Sequence, residues 1–293
     1  MPGSIPNLQL LDGSAAAREL DLASELFHRI NRVIPPNQKL LTVRPGRAVR
    51  EVVALMLEHG YSQVPVMEEN GEVLGVFSLR SFAQEAASKS LDEWQKQRCA
   101  PGDLLVDEFL EQFEFARVTE EMSRVFTAME RDNGILIGTP ERLIGILTPM
   151  DFLQYLYKIA SPFVMISEIE LALRTLITIT LNTEQIVAAA KRCLSSAYGG
   201  EDKVPTVLEE MTFDNYQSLI SHSETWKELE CVFGGTRTRV SAKLREIGDI
   251  RNVLFHFKRE ITMLDHETLA NHRNWLLNKI KQAVARRKME VQP

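Results

Sequence analysis

Apolar residues in the first half of the chain recur with two alternating periods, and that alternation predicts its elements. Within residues 14–33, Leu20, Leu22, Leu26, Phe27 and Ile30 return near helical spacing, so a helix is expected, ending before Pro35-Pro36. Residues 41–43 are a short β-rich run, followed by the turn Arg44-Pro45-Gly46. Residues 49–59 place Val49, Val52, Val53, Met56 and Leu57 on one side of a helix that Gly60 should stop. Residues 63–67 read as a strand, Glu68 to Gly71 as a hairpin turn, and 73–77 as the returning strand. A helix is expected over 78–87.

About 70 residues later the order recurs. A strand is expected over 115–118 and a helix over 120–130, with Met122, Val125, Phe126 and Met129 on its apolar side. The turn Asp132-Asn133-Gly134 leads to a strand at 135–137, a turn at 139–142, a strand at 143–147 and a helix at 148–157. The two units close alike, on Gly75-Val76-Phe77-Ser78-Leu79-Arg80-Ser81 and on Gly145-Ile146-Leu147-Thr148-Pro149-Met150-Asp151. From residue 161 the pattern is helical only. Helices are expected over 166–181, 183–195, 206–211, 213–221, 225–233, 236–264 and 265–287, broken at Tyr198 to Asp202 and at Gly234-Gly235.

A β-α-β-β-α unit that closes on Gly, two apolar residues, Ser or Thr, two residues and Asp, met twice, resembles a pair of cystathionine-β-synthase (CBS) domains. The resemblance covers roughly 120 residues. It implies a sensor in which a nucleotide lies between two modules. There a carboxylate accepts from the ribose diol and a Ser or Thr hydroxyl contacts ribose or phosphate. Carried onto this sequence, Thr148 and Asp151 complete the motif, and Gly134 and Ile135 would line the base. The first repeat supplies Ser78 but has Ser81 in the place of the Asp, so one competent site is expected. The implied ligand is a regulatory adenine nucleotide (ATP, ADP or AMP).

Charge separates the halves. Residues 161–293 hold 18 Lys and Arg against 17 Asp and Glu, leaving 16 and 23 of the chain's 34 and 40 to residues 1–160. The acidic first half is a poor nucleic-acid binder. Cys99, Cys193 and Cys231 stand far apart, with no Cys/His metal spacing, as befits reduced thiols; no metal is expected. The most apolar window, 171–181, is short and carries Arg174, too little to span a bilayer. A cytoplasmic chain that engages no membrane is expected.

In the second half, Ile247, Ile250, Leu254, Phe257 and Ile261 would form one buried stripe if 236–264 is a single helix. Asn252, His256 and Arg259 then fall on another face beside Phe255, which suggests a dimer seam. From Arg237 to Glu260 seven Lys and Arg outnumber three acids. A helical domain carrying Arg251-Asn252 and then His256 resembles the HEPN (higher eukaryote and prokaryote nucleotide-binding) superfamily. The resemblance implies metal-independent RNA cleavage at a homodimer interface and no cofactor for catalysis. Histidine would move protons, arginine would hold the phosphate, and Asn252 would orient His256 or the phosphate. The fold expected is α+β: residues 1–37 as an N-terminal segment and helix, 38–160 as a CBS-domain pair of βαββα repeats, and 161–293 as an all-α HEPN-like bundle. A nucleotide-regulated RNase follows. The alternative is a non-catalytic nucleotide sensor whose helical domain mediates dimerisation or binds a partner protein.

Overall fold

Two hairpins, each crossed by a helix, organise the first half of the chain. The computed structural model describes residues 30–34, 40–90, 92 and 100–291; residues 14–29 of the first expected helix, and Cys99, lie outside them. The chain divides between Leu156 and Tyr157 into two units.

In the first unit, α1 (Ile30–Val33) is followed by α2 (Val49–His59), which buries Val49, Val52 and Met56. Gly60 ends α2 at φ 69°, where a side chain is strained, and Tyr61 N–H returns to the Met56 carbonyl. Strands β1 (Gln63–Met67) and β2 (Val73–Ser78) pair antiparallel, and α3 (Leu79–Ser88) follows. The strand expected at 41–43 shrinks to a parallel bridge between Val43 and Val66. The second repeat answers with β4 (Phe115–Ala116), α4 (Met122–Asp132), β5 (Ile135–Thr139) and β6 (Arg142–Leu147). There β4 runs parallel to β5 and β5 antiparallel to β6.

Two features lie outside the expected pattern. Leu110–Glu111 forms β3, which pairs with the free edge of β2. Ile30 and Val33 pack into the core of the second repeat with Val125, Met129 and Leu147, although they precede the first. Their backbone follows: Ile30 N–H donates to Glu120 O and Asn31 N–H to Val118 O, at 3.2 and 3.0 Å. The repeats meet through Val76, Phe113 and Leu136, and through Val73 N–H on Pro140 O at 3.0 Å.

Helix α5 (Pro149–Thr180) carries the chain into the second unit. Separate helices were expected over 148–157 and 166–181. Pro162 sits inside the one helix instead, and the Lys158 carbonyl it leaves unpaired belongs to an exposed residue that water can reach. The remaining helices are α6 (Thr183–Tyr198), α7 (Phe213–Ser221), α8 (Ser223–Phe233), α9 (Arg237–Phe255) and α10 (Met263–Val291). Reciprocal caps start α6 (Asn182 with Gln185) and α7 (Thr212 with Asn215). Leu173, Leu176, Tyr216, Leu219, Phe233, Leu244 and Leu276 fill the core, each fully buried. Residues 206–211 keep only a 3-10 turn, Leu208–Glu210.

Candidate functional site

Each repeat motif lies where the last strand hands over to a helix, so its hydroxyl becomes a cap. Asp151 Oδ2 accepts from Thr148 N–H at 2.8 Å and from Thr148 Oγ1 at 2.7 Å. The Asp151 N–H returns to Thr148 Oγ1 at 3.3 Å. The carboxylate therefore has a structural duty at the start of α5. Its Oδ1 takes no hydrogen bond among the described residues.

The first repeat is built differently. Ser78 caps α3, accepting from Ser81 N–H at 2.8 Å, and Ser81 Oγ accepts from Ser78 N–H at 3.2 Å. Ser78 is buried, and its hydroxyl donates to Glu111 Oε2 on β3. A carboxylate thus reaches this motif from the edge strand rather than from position 81. Sequence reasoning missed Glu111, because a two-residue strand carries no periodicity to find. Gly134 follows the left-handed Asn133, and a Cβ there would lie 2.4 Å from Gln63 Nε2 and 3.0 Å from Phe113. Gly134 therefore marks the close approach of the two repeats. Ile135 is 2% exposed and packs with Val125 and Leu147, so the side chain expected to line a base pocket is committed to the core.

In the second unit the helix expected over 236–264 forms only in its first part, over Arg237–Phe255. Helix α9 stops at Phe255. Phe257 adopts φ 50°, its N–H donating to Leu254 O and Lys258 N–H to Val253 O, at 3.3 and 3.1 Å. These two bonds make a Schellman ending with an aromatic in the position glycine favours, strained by about 1–2 kcal/mol. Ile247, Ile250 and Leu254 are buried as the stripe required, but Phe257 is 83% exposed. Arg259 is no longer on a helix face with Asn252. It makes two bonds to Asp265, at 2.6 and 3.0 Å, and its guanidinium holds that carboxyl well below the usual carboxylate range.

The three residues of the motif remain gathered at this helix end. Arg251 Nε donates to Glu170 Oε1 of α5 at 3.1 Å, and its guanidinium carbon lies 4.9 Å from the centre of the Phe255 ring. Asn252 is half-buried and its carbonyl accepts His256 N–H at 3.3 Å. His256 is exposed, and its ring has no partner among the described residues.

Nearby, a cavity of about 440 Å³ opens between α5 and α10, with the Glu168–Arg273 ion pair in its wall. In its wall the Ser161 hydroxyl and His266 Nδ1 share a long hydrogen bond of 3.4 Å. No group of three or more His, Cys, Asp or Glu among the described residues could hold a metal ion. No helix of the described residues is long and apolar enough to cross a membrane.

A family model described as "CBS domain" matches residues 23–88. The N-terminal part of the chain carries a CBS domain. Cystathionine beta-synthase of Oryctolagus cuniculus is 24% identical over 128 residues, 39% of this chain. The match spans only 22% of that relative's length. A CBS-domain containing protein from Agrobacterium tumefaciens is 17% identical with a TM-score of 0.37, covering 43% of this chain and 92% of that one. A structure described as CBSX2 in complex with AMP is 16% identical with a TM-score of 0.37, covering 44% of this chain and 95% of that one. The CBS match takes in the first repeat up to Ser88, the end of α3. The second repeat, 115–147, lies beyond it and repeats the order of strands and helix. The helical unit, from Tyr157 on, has no part in the CBS match.

Proposed function

We propose that the chain is a metal-independent endoribonuclease regulated by an adenine nucleotide. The observation that carries this reading is Arg251, Asn252 and an exposed His256, whose ring has no partner among the described residues, at one helix end. These residue types suit cleavage of RNA through its own 2′-hydroxyl. The 2′-oxygen attacks phosphorus, the P–O5′ bond breaks, the 2′-proton passes to a base and the 5′-oxygen takes a proton. His256 serves as base or acid, and Arg251 holds the phosphate oxygens as charge builds on them. The products are a 2′,3′-cyclic phosphate and a 5′-hydroxyl. A homodimer supplies two histidines, one for each proton. The R-N-x-x-x-H pattern shared with HEPN proteins supports the same assignment.

The CBS part is the sensor. Asp151 Oδ1, unused in the cap, would accept a ribose hydroxyl, and Thr148 lies beside it. In the first repeat the Ser78 hydroxyl is already engaged by Glu111, which supports a single nucleotide per chain. Regulation requires that the nucleotide bind more tightly to one arrangement of the paired helical units than to another.

The deciding experiment incubates the full chain with RNA in EDTA, with and without AMP or ATP, beside His256→Ala. Cleavage that persists in EDTA, leaves cyclic phosphate ends and vanishes in the variant is the expected result. No cleavage under any of these conditions overturns the reading. For the sensor, Asp151→Asn keeps a cap oxygen but loses the charge. It should weaken AMP binding by about 10-fold or more in calorimetry, the worth of one hydrogen bond to a charged group.

A further inference from the structure

We propose that Glu170 is the positioning residue that aims Arg251 at the phosphate, an inference that rests on the ribonuclease reading above. A guanidinium offers five N–H donors in a planar fork. Glu170 takes the one on Nε, at 3.1 Å. The Phe255 ring covers one face of the fork, 4.9 Å from its carbon, and is itself braced edge-on by Phe163 at 5.5 Å. Nη1 and Nη2 make no hydrogen bond among the described residues. They form a two-pronged donor edge of the kind that matches phosphate oxygens. A carboxylate bonded across both Nη atoms would have competed with a phosphate. One bonded at Nε fixes the plane and leaves that edge open.

Glu170 is held in turn. Its Oε2 lies 3.6 Å from Arg174 Nη2, and Arg174 Nε donates at 2.8 Å to the hydroxyl of the fully buried Tyr216. The support for Arg251 therefore runs back into the core of the helical unit. Two guanidiniums share one carboxylate, so the cluster keeps a net positive charge with which to attract a phosphate.

The test is steady-state cleavage of a defined RNA oligonucleotide by the full chain, with folding checked by circular dichroism. Glu170→Ala should lower kcat about 100-fold, the effect of misplacing a group by about 1 Å, with KM within about threefold of wild type. Glu170→Gln keeps an oxygen for the Nε–H and should recover activity to within about tenfold of wild type. Added to Arg251→Ala, Glu170→Ala should bring no further loss, because both act through one group. Should Glu170→Ala not fold, Glu170→Asp decides alone. It keeps the charge and shortens the reach, so a lowered kcat supports positioning and an unchanged one overturns it. An unchanged or raised kcat in Glu170→Ala, or Glu170→Gln as slow as Glu170→Ala, also overturns it. A wild-type chain that cleaves no RNA overturns the ribonuclease reading and this inference together. A wild type that cleaves no better than Glu170→Ala overturns the inference alone.

Discussion

Tyr216→Phe isolates one hydroxyl at the centre of the helical unit. The ring is fully buried, and the variant keeps its packing and the Arg174 guanidinium 5.7 Å from its centre. What it loses is a hydroxyl that accepts from Arg174 Nε at 2.8 Å and donates to the Leu208 carbonyl. Leu208 is only 6% exposed, so its carbonyl is left nearly without water, at a cost of about 1–3 kcal/mol. The Arg174 side chain is 26% exposed and can be hydrated in part, adding about 1 kcal/mol at most. The expected loss is about 2–3 kcal/mol. In a unit running from Tyr157 to Pro293, that lowers Tm by roughly 6–15 °C. Calorimetry of the full chain should show the shift in the helical unit's transition. Burial also pushes the Tyr216 phenol above its ordinary pKa. Its contribution is then full below about pH 10, where the unfolded phenol begins to ionise, and is lost as pH rises further. The gap between wild type and variant should narrow above that pH. A loss below about 0.5 kcal/mol at neutral pH would refute the reasoning, because it lies under the worth of a single hydrogen bond.

Two further outcomes are expected. Asp265 starts α10 by accepting from Thr262 N–H and Oγ1, both at 2.8 Å, and its folded carboxyl lies below the usual carboxylate range. Its contribution should be present above about pH 4 and fade as pH falls towards the folded value, so Asp265→Asn should flatten the acid limb of urea stability and lower it by at least about 1 kcal/mol at neutral pH. In the hairpin of the second repeat, a Cβ on Gly138 would lie 2.2 Å from the Arg142 carbonyl oxygen, at φ +125°. Backbone must move to admit it, so Gly138→Ala should cost the first unit roughly 2–4 kcal/mol in urea unfolding; a loss under about 1 kcal/mol would show that the hairpin yields easily.

The first unit was largely legible because two periods alternate in it. Helix Val49–His59 and strand Gln63–Met67 run over the residues their patterns marked, and Gly60 stops the helix as a residue free to take positive φ should. Helix Phe213–Ser221 was equally plain from its spacing. What stayed hidden depends on partners distant in sequence. Nothing local in Leu110–Glu111 announces a strand, because the free edge of β2 creates it. The end of α9 was missed for a different reason. No Gly, Asn or Pro stands at 256–258, and the chain turns left-handed at Phe257, against the preference of a bulky side chain. The motif Arg251, Asn252, His256 was visible as spacing, but Glu170 was not, since 81 residues separate it from Arg251.

The packing of Ile30 and Val33 changes what counts as a module. Read along the sequence, each repeat is a separable cassette. In space, the strip before the first cassette completes the second, with Asn31 joined to Val118 across the whole of the first. The chain is thereby looped closed, like a strap threaded through its own buckle. A fragment beginning after residue 37 would take Ile30 and Val33 out of the core that holds Val125, Met129 and Leu147, so the second cassette cannot be lifted out intact. The Asn31–Val118 bond spans the whole first cassette, so closing it costs more chain entropy than any contact made within either cassette.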